Sequence, residues 1–372
     1  MHAHPSLEEG SNGKLYIDDV SKPNLGLILH AAFWYKPGEF KIEDVEKPQI
    51  KPNEVLIRIK YCGICGTDLH AFTGEIPASW LGIIPPVILG HEFSGEVVEV
   101  GKDVTEIEVG DKVTVDPMYG CGRCVPCRRG DIKQCLVMKT IGYSENGGFA
   151  EYCKARCDLV YKLPTNVSFE EGALIEPVSC AYHTIERAEI HPGTCVAILG
   201  LGSIGLILLQ LAKMAGAYPL IAIDLIPQKL ELAKKLGADI VLNPKEVDLT
   251  EEIKNITNGY GVEVCIEAVG KKGTYEQAID LVGIGGRAIL MGFCPQGTTI
   301  SLDTWSMMLK EITIKLSREN PFTFEKAITT IESGKVNVKA LISHVFSLEE
   351  ILEGFESFKK EPEKTVKVLI KP

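Results

Sequence analysis

Residues 195–212 read CVAILGLGSIGLILLQLA and decide the fold of the second half of the chain. The run has no charged residue over eighteen positions, which is close to the minimum length for a membrane-spanning helix. Glycines at 200, 202 and 205 interrupt it, however, and Lys213 follows it. Glycines at this spacing after a short apolar stretch are typical of a strand that turns tightly into a buried helix. We therefore interpret the run as a strand, a turn and a helix, and we exclude a membrane span.

Downstream of this unit, apolar strands alternate with amphipathic helical patterns. The predicted helix 227–236 has a proline in its first turn and a glycine directly after its end, as helices commonly do. Alternation of this kind predicts an α/β domain with a doubly wound parallel sheet of the Rossmann type. The predicted strands are 195–199, 220–224, 240–242, 262–267, 287–291 and 311–316.

The first half of the chain has a different sequence pattern. Short β-type runs are separated by Gly, Pro, Asp and Asn turns, which predicts a mostly antiparallel β domain. A helical pattern over 324–333 and a final apolar run over 365–370 are expected to pack back onto this domain. The predicted organisation is residues 1–178 with an N-terminal extension over 1–26, a cofactor domain over 179–317, and a return to the first domain over 318–372. The runs read as strands in the first half are 55–60, 95–100, 112–115, 150–153 and 159–163.

Composition narrows the function classes. The 372 residues are 45% hydrophobic and 24% charged, with 39 basic and 50 acidic side chains and a net charge of −11, values ordinary for a soluble globular protein. A protein that follows nucleic-acid phosphates shows the opposite charge balance. The N-terminus lacks the pattern of a secretory or transit peptide, so we expect a cytoplasmic protein. Its twelve cysteines then indicate metal binding or catalysis in preference to disulfides.

The glycine turn has the spacing G-x-G-x-x-G between a strand and a helix. This arrangement lets a pyrophosphate approach the backbone at the positive end of a helix. Asp224 ends the next predicted strand, where a carboxylate binds the ribose hydroxyls of NAD and repels the extra phosphate of NADP. Lys229 is near enough in the sequence that NADP stays an alternative cofactor. A purely structural role for the glycines, in helix–strand packing, is the alternative interpretation of the turn. The predicted cofactor contacts are Gly200, Gly202, Ser203, Ile204, Gly205 and Asp224.

Four cysteines form a cluster with the spacing C-x2-C-x2-C-x7-C. Four thiolates can close a tetrahedral shell around zinc, and the basic residues Arg123, Arg128, Arg129 and Lys133 would offset its negative charge. An iron–sulfur cluster is the nearest alternative, but the ferredoxin pattern has its fourth cysteine three residues on and a proline after it. The predicted ligands of this structural zinc are Cys121, Cys124, Cys127 and Cys135.

A second set of residues combines thiolate, imidazole and carboxylate groups. Cys65, His91, Glu92 and Glu176 supply the donor types of an open catalytic zinc site, which keeps one position for substrate. Cys62 and Cys65 also form a C-x-x-C pair, which could be a redox motif. That motif normally opens a helix in a βαβ unit, whereas its surroundings here are predicted to be β structure.

Taken together, these motifs resemble those of the zinc-dependent medium-chain dehydrogenase/reductase family. The resemblance runs from about residue 27 to the C-terminus and rests on Gly90-His91-Glu92, the four-cysteine cluster, residues 147–152 (GGFAEY) and the glycine turn. It implies a GroES-like catalytic domain interrupted by a Rossmann domain, with the active site in the cleft between them.

The resemblance also implies roles for single residues. Cys65 and His91 match zinc ligands, and Glu176 lies where liver-type alcohol dehydrogenases have cysteine, as in the polyol, threonine and butanediol branches. Glu92 matches a carboxylate that is a direct ligand in some relatives and an outer or exchanging one in others. The remaining matches are a proton relay of Thr67 and His70, Asp68 as the acid that orients His91, and Arg318 as a substrate contact.

The expected function is therefore NAD-dependent oxidation of a secondary alcohol, in a polyol or sugar alcohol, to a ketone, with zinc holding the alkoxide during hydride transfer. Threonine, butanediol and simple alcohol dehydrogenases of the same family are alternatives. A non-catalytic NAD-binding protein is a remote one, while a zinc-free reductase and a nucleic-acid module fit the residues poorly. We expect two zinc ions per chain, a small-molecule substrate, no nucleic-acid or membrane partner, and a homodimer or homotetramer.

Overall fold

The computed structural model describes residues 29–372. The predicted N-terminal extension, residues 1–26, lies outside the described residues. Within residues 29–372, no helix is both long enough and apolar enough to cross a bilayer.

Eighteen strands are distributed over the described residues. They are β1 (Leu29–Lys36), β2 (Glu39–Val45), β3 (Glu54–Gly63), β4 (Val87–Ile88), β5 (Glu92–Val100), β6 (Lys112–Val115), β7 (Met118–Tyr119), β8 (Lys139–Thr140), β9 (Tyr152–Arg156), β10 (Val160–Lys162), β11 (Val196–Leu199), β12 (Leu220–Ile223), β13 (Ile240–Leu242), β14 (Val262–Glu267), β15 (Val282–Leu290), β16 (Thr313–Leu316), β17 (Ile342–Ser347) and β18 (Lys367–Lys371).

Most of the α-helices lie in the second half of the described chain, where they alternate with strands. The α-helices are α1 (Gly66–Thr73), α2 (Val125–Arg128), α3 (Phe169–Gly172), α4 (Ile175–Ala188), α5 (Ser203–Met214), α6 (Pro227–Lys235), α7 (Leu249–Ile256), α8 (Lys272–Leu281), α9 (Thr304–Lys310), α10 (Phe324–Glu332) and α11 (Ile351–Lys360). Short 3₁₀ turns lie at Ala78–Trp80, Ile132–Gln134, Cys157–Leu159 and Lys339–Leu341.

The first half of the chain, joined by β17 and β18 from the second half, forms mostly antiparallel sheets, as predicted. The largest has the order β10-β6-β5-β3-β18-β17, and β9 pairs with the first half of β3. A three-stranded sheet, β2-β1-β4, and the β7-β8 pair lie beside it. Together they form the GroES-like part of the fold.

The second half forms a six-stranded parallel sheet with the order β13-β12-β11-β14-β15-β16. This is the doubly wound order, in which the strand order reverses between β11 and β14 and leaves a crevice for a ligand. The predicted Rossmann fold is therefore confirmed.

The uncharged run 195–212 forms β11 and most of α5. Residues 205–212 of α5 are all buried, because this helix packs between the sheet and α4. A helix that is buried on every side has no face for charged groups, which explains the eighteen uncharged positions.

One predicted strand differs clearly from the observed one. β15 begins at Val282, five residues before the predicted start at 287, and pairs with β14 across an irregular register. Its first residues, Val-Gly-Ile-Gly-Gly, contain three glycines and lie outside the predicted strand 287–291. Glycines inside strands often mark such irregularities.

The chain returns to its first half at its end. β18 lies between β3, to which it is antiparallel, and β17, to which it is parallel. The boundaries of the three predicted segments, 1–178, 179–317 and 318–372, stay a prediction.

Candidate functional site

Three of the predicted metal ligands meet where α1 and β5 begin. Cys65 is the N-cap residue of α1, and His91 and Glu92 stand at the start of β5. One donor atom from each of these residues lies within 4.8 Å of the other two. A thiolate, an imidazole and a carboxylate at this separation fit a single zinc ion with room for a further ligand.

Asp68 connects two of these residues. Its Oδ2 accepts a hydrogen bond from the Cys65 backbone N–H at 3.0 Å, and its Oδ1 lies 3.6 Å from Nδ1 of His91. Burial alone would lower the pKa of His91, but the negative charges of Asp68 and Cys65 outweigh it and raise the pKa well above its usual value. With Nδ1 facing Asp68, Nε2 of His91 faces the shared donor site.

Glu92 forms a buried ion pair with Lys367 of β18. The Lys367 ammonium donates to Oε2 of Glu92 and to the Ile64 carbonyl at 3.0 Å, and both side chains are almost fully buried. Gly63 pairs with Glu92 in the sheet, and a Cβ at Gly63 would collide with Glu92 Oε2 and with Cε of Lys367. The ion pair therefore occupies the space that a side chain at position 63 would fill.

Glu176 lies in the first turn of α4 and is buried, but it is outside the group formed by Cys65, His91 and Glu92. Its Oε1 accepts a hydrogen bond from Sγ of Cys180, one turn later, at 3.3 Å. Burial raises the pKa of Glu176 to about 7, against the opposing charge of His91. Its predicted role as a zinc ligand stays a prediction.

The predicted relay residues lie on α1. Thr67 is in the first turn of α1 and His70 in the last. Nδ1 of His70 lies 3.1 Å from Oε2 of Glu75, and 27% of the His70 side chain is exposed. A histidine that is bonded on one nitrogen and partly exposed can exchange a proton with solvent through the other.

The four-cysteine cluster is compact. The Sγ atoms of Cys124 and Cys127 are 3.4 Å apart, those of Cys124 and Cys135 are 3.8 Å apart, and all four sulfurs lie within 4.8 Å of one another. Zinc with Zn–S distances of about 2.3 Å would separate its thiolates by about 3.8 Å, so the observed spacing fits.

Protonation in the cluster is uneven. Backbone N–H groups of Arg123 and Cys124 lower the pKa of Cys121 to about 6, whereas burial and the Cys124 sulfur raise the pKa of Cys127 to about 12. Four adjacent thiols cannot all ionise without a cation among them, because each thiolate repels the next. The donor set therefore suits a divalent ion.

The expectation that Lys133 offsets the charge of these thiolates was wrong. Its ammonium is buried and donates to both carboxylate oxygens of Asp116 at 2.7 Å and to the Met118 carbonyl at 3.3 Å. A buried ammonium needs hydrogen-bond acceptors around it, and Asp116 supplies them. Arg123, Arg128 and Arg129 are exposed on the cysteine lobe.

Arg318 follows β16 and lines a cleft of about 640 Å³ together with Gln134, Met291 and Phe293. Its Nη2 donates to the Lys133 carbonyl at 3.2 Å, and Glu319 beside it has a φ of 61°. Left-handed backbone is strained for a glutamate, and such strain is common where a side chain must point into a site. The predicted substrate contact at Arg318 stays a prediction.

The glycine turn lies at the point where the order of the parallel sheet reverses. Gly200 has a φ of +91°, and a Cβ there would meet Cγ2 of Val269 at 2.5 Å. A Cβ at Gly205 would collide with the Gly200 carbonyl, so α5 packs closely on β11. The space beside Gly202 is open, which leaves a cradle for phosphates at the N-terminus of α5.

Asp224 follows β12 beside this turn. Its Oδ2 accepts a hydrogen bond from the Leu201 backbone N–H at 2.7 Å, and its Oδ1 accepts one from Ile226 N–H at 2.9 Å. Ser203 and Ile204 form the first turn of α5. These positions suit a dinucleotide, and their assignment as cofactor contacts stays a prediction.

The prediction that Cys62 and Cys65 lie in β structure was wrong in part. The pair does lead into a helix, because β3 ends at Gly63 and α1 begins at Gly66, so purely β surroundings were wrong. The neighbours of β3 are antiparallel, however, so no βαβ unit is present there. Cys62 is fully buried, and burial raises its pKa well above the usual value, which disfavours a reactive thiolate.

Lys367 and Tyr143 are at the site but were missed from the sequence. A lysine within the apolar run of β18 was a usable signal, because a charged residue in a buried strand needs a partner. Tyr143, whose hydroxyl lies 3.4 Å from Nε2 of His91, gave no signal of this kind. It belongs to a loop without periodic pattern.

Comparison with known proteins supports the same chemistry. Residues 51–165 match the family model described as "Alcohol dehydrogenase GroES-like domain", and residues 203–333 match the one described as "Zinc-binding dehydrogenase". These two regions contain the metal donors of α1 and β5, the four cysteines, and residues 203–205 of the glycine turn.

Relatives match over nearly the whole chain. A sorbitol dehydrogenase of Bacillus subtilis is 37% identical over 92% of this chain and 97% of its own length. An L-threonine 3-dehydrogenase of Pyrococcus horikoshii is 37% identical over 87% of this chain and 92% of its own. A crystal structure described as a zinc-binding dehydrogenase of Sinorhizobium meliloti bound to NADP has a TM-score of 0.87 and 34% identity, covering 93% of this chain and 100% of that one.

Proposed function

The chain belongs to the zinc-dependent medium-chain dehydrogenase family, and from this premise we propose that it oxidises a secondary alcohol of a polyol to a ketone with NAD. The observation that carries the proposal is the buried group of Cys65, His91 and Glu92 in a fold that also has a dinucleotide turn. The overall reaction removes a hydride from the alcohol carbon and a proton from its oxygen.

Cys65, His91 and either Glu92 or Glu176 would hold the catalytic zinc. Bound there, zinc supplies Lewis-acid chemistry that lowers the pKa of the alcohol oxygen. Cys121, Cys124, Cys127 and Cys135 would hold a second, structural zinc. The spacing of their sulfurs and the uneven protonation of the thiols support this assignment.

The protein's own groups orient the site and move the proton. Asp68 holds the His91 ring through Nδ1 and the α1 terminus through the Cys65 N–H, so that the metal-facing nitrogen is fixed. The Thr67 hydroxyl accepts the proton of the alcohol as it gives up its own towards His70, by way of the cofactor ribose, and the partly exposed His70 then releases a proton to water, with Glu75 holding its other nitrogen.

NAD is the proposed oxidant. The Asp224 carboxylate accepts hydrogen bonds from the backbone N–H groups of Leu201 and Ile226, and it would also accept hydrogen bonds from the ribose hydroxyls of NAD. A 2′-phosphate would meet this negative charge. The NADP in the Sinorhizobium meliloti structure makes the cofactor preference a necessary part of the test.

The test is a panel of initial rates of NADH formation by the zinc-loaded protein, with sorbitol, xylitol, galactitol, 2,3-butanediol, L-threonine and 2-propanol, each with NAD and with NADP. We expect a polyol to give the highest kcat/KM and NAD to be preferred. L-threonine or 2-propanol as the best substrate would overturn the polyol assignment. No activity with any of these substrates would overturn the proposed dehydrogenase function.

A pair of variants links the activity to the proposed metal. Cys65→Ser removes a thiolate donor, and we expect kcat/KM to fall about a hundredfold or more, together with the loss of one zinc per chain. Cys157→Ser is the matched control, because Cys157 lies in the 3₁₀ turn before β10, away from both metal groups. A Cys65→Ser protein with full zinc and full activity would contradict the proposal.

We also propose that the protein is a homo-oligomer. β16 is an edge strand of the parallel sheet, and α9 precedes it. Around this edge lies a set of exposed apolar side chains, called here the β16 patch: Trp305, Met308, Leu309 and Leu316, exposed by 66–75%. An edge strand with exposed apolar side chains near it favours pairing with a second copy.

A further inference from the structure

Tyr143 places a phenol hydroxyl against the ring of a proposed zinc ligand. Its oxygen lies 3.4 Å from Nε2 of His91, and the two rings meet edge to face with centroids 4.9 Å apart. The backbone of Tyr143 is fixed on both sides, because its N–H donates to the Thr140 carbonyl and its carbonyl accepts from the Ile84 N–H. The position of the hydroxyl is therefore built into the loop.

The neighbours of this phenol are the groups of the proposed reaction. The Thr67 side chain lies beside it. A phenol carries one O–H group, so towards a bound alcohol Tyr143 can act as a hydrogen-bond donor.

Geometry limits what this donor can reach. Nδ1 of His91 faces Asp68, so the reacting oxygen binds on the Nε2 side, where it also has to approach Thr67. The Tyr143 hydroxyl contacts Nε2 of His91 and lies beside Thr67. In a vicinal diol the second oxygen lies within hydrogen-bonding distance of the first, and so it falls beside the phenol.

We propose that Tyr143 is a specificity-determining residue, whose hydroxyl donates a hydrogen bond to the hydroxyl on the carbon next to the reacting carbon. This inference rests on the proposed function and narrows its substrate class to vicinal diols and polyols. A simple secondary alcohol has no group at that position and gains nothing from the phenol. A site built around such a hydroxyl discriminates against analogues that lack it.

The experiment compares Tyr143→Phe with the unmodified protein on 2,3-butanediol and 2-butanol, which differ by one hydroxyl. We expect kcat/KM for the diol to fall about tenfold or more, mainly through KM, and that for 2-butanol to stay within about threefold. Tyr119→Phe is the matched control, since it also removes a hydrogen-bonded phenol hydroxyl. The Tyr119 hydroxyl donates to Glu145 and lies in a strand outside the site. This control should leave kcat/KM unchanged for both substrates.

An equal loss on both alcohols would overturn the proposal, because Tyr143 would then act on the reacting oxygen or on folding. Unchanged kinetics would overturn it as well. The melting temperature of each variant separates a folding defect from lost contact. If Tyr143→Phe unfolds, Tyr143→Trp, which keeps an aromatic ring, is measured in its place. The quantity compared is again the ratio of kcat/KM for 2,3-butanediol to kcat/KM for 2-butanol.

A binding measurement keeps the test independent of turnover. Diol and mono-alcohol are titrated into the zinc-loaded protein with NADH, and binding is followed by the fluorescence of NADH. We expect the unmodified protein to prefer the diol and Tyr143→Phe to lose that preference. An unmodified protein that binds the diol selectively without oxidising it would overturn the proposed function and leave the role of Tyr143 supported. Equal binding of both alcohols would overturn the role of Tyr143.

Discussion

The ammonium of Lys367 and the carboxylate of Glu92 balance each other's charge where both are removed from water. Each ion alone would pay a large desolvation cost in that position. Their pairing also ties the metal-donor end of β5 to the last strand of the chain. A single side chain more than 270 positions away in the sequence therefore sets the net charge of the candidate metal centre.

Lys367→Met is expected to destabilise the protein by about 3–5 kcal/mol, because it leaves Glu92 buried without a partner. Denaturant unfolding measures the free energy directly. Lys364→Met is the matched control, since Lys364 is exposed and contacts only Glu361, and it should change stability by less than about 1 kcal/mol. Equal effects of the two substitutions would show that the buried pair is not stabilising.

At the scale of elements, we expect the cysteine lobe to depend on its proposed ion, because the short helix α2 and the adjacent 3₁₀ turn carry few buried apolar residues. We expect Cys124→Ser to lower the zinc content by one ion per chain while the catalytic zinc remains. Trypsin should then cleave rapidly after Arg128 and Arg129, which are exposed on the lobe.

Two measurements check this prediction: metal analysis of the purified variant, and the rate at which trypsin produces fragments cut near residue 128. Cys157→Ser is the control for the loss of a thiol alone. A Cys124→Ser protein with unchanged zinc and unchanged proteolysis would rule out a structural zinc at the lobe.

Local patterns predicted the elements better than the contacts between them. The run 195–212 identified β11, the turn and α5, because a strand–glycine–helix unit is specified by neighbouring residues. The start of β15 was missed, because its pairing with β14 overrides three glycines that locally indicate a turn. Propensity is a weak guide wherever tertiary pairing decides.

The same limit applies to the site. Cys65, His91 and Glu92 were found because each belongs to a short motif, and the structure brings them together. Lys367 and Tyr143 approach them from distant segments, and nothing in either segment indicates a metal site. The interpretation of Lys133 failed for a related reason, since its partner Asp116 lies outside the cysteine cluster.

At the scale of the whole molecule, the β16 patch gives a test of assembly. Met308→Asp places a charge in the patch, where 75% of the Met308 side chain is exposed. If the patch joins two copies, the buried carboxylate has no partner, and we expect the apparent mass to fall to 40.7 kDa. Size-exclusion chromatography with light scattering measures this mass.

Val345→Asp is the matched control, because Val345 is also exposed and lies on β17, the edge strand of the antiparallel sheet. It should leave the mass unchanged. A change caused by Val345→Asp alone would move the interface to β17, and an unmodified protein that is already monomeric would exclude the oligomer.

The position of β18 between two other strands of its sheet has a consequence for the synthesis of the protein. The ribosome makes β18 after every other described strand, yet this strand lies between β3 and β17 and carries the lysine that neutralises Glu92. Cys65, His91 and Glu92 leave the ribosome long before Lys367 is made, and one edge of β3 stays partly open until then. The catalytic half of the nascent chain therefore stays incomplete while the whole parallel sheet is translated, and a chain that stops before Lys367 leaves Glu92 without its charge partner.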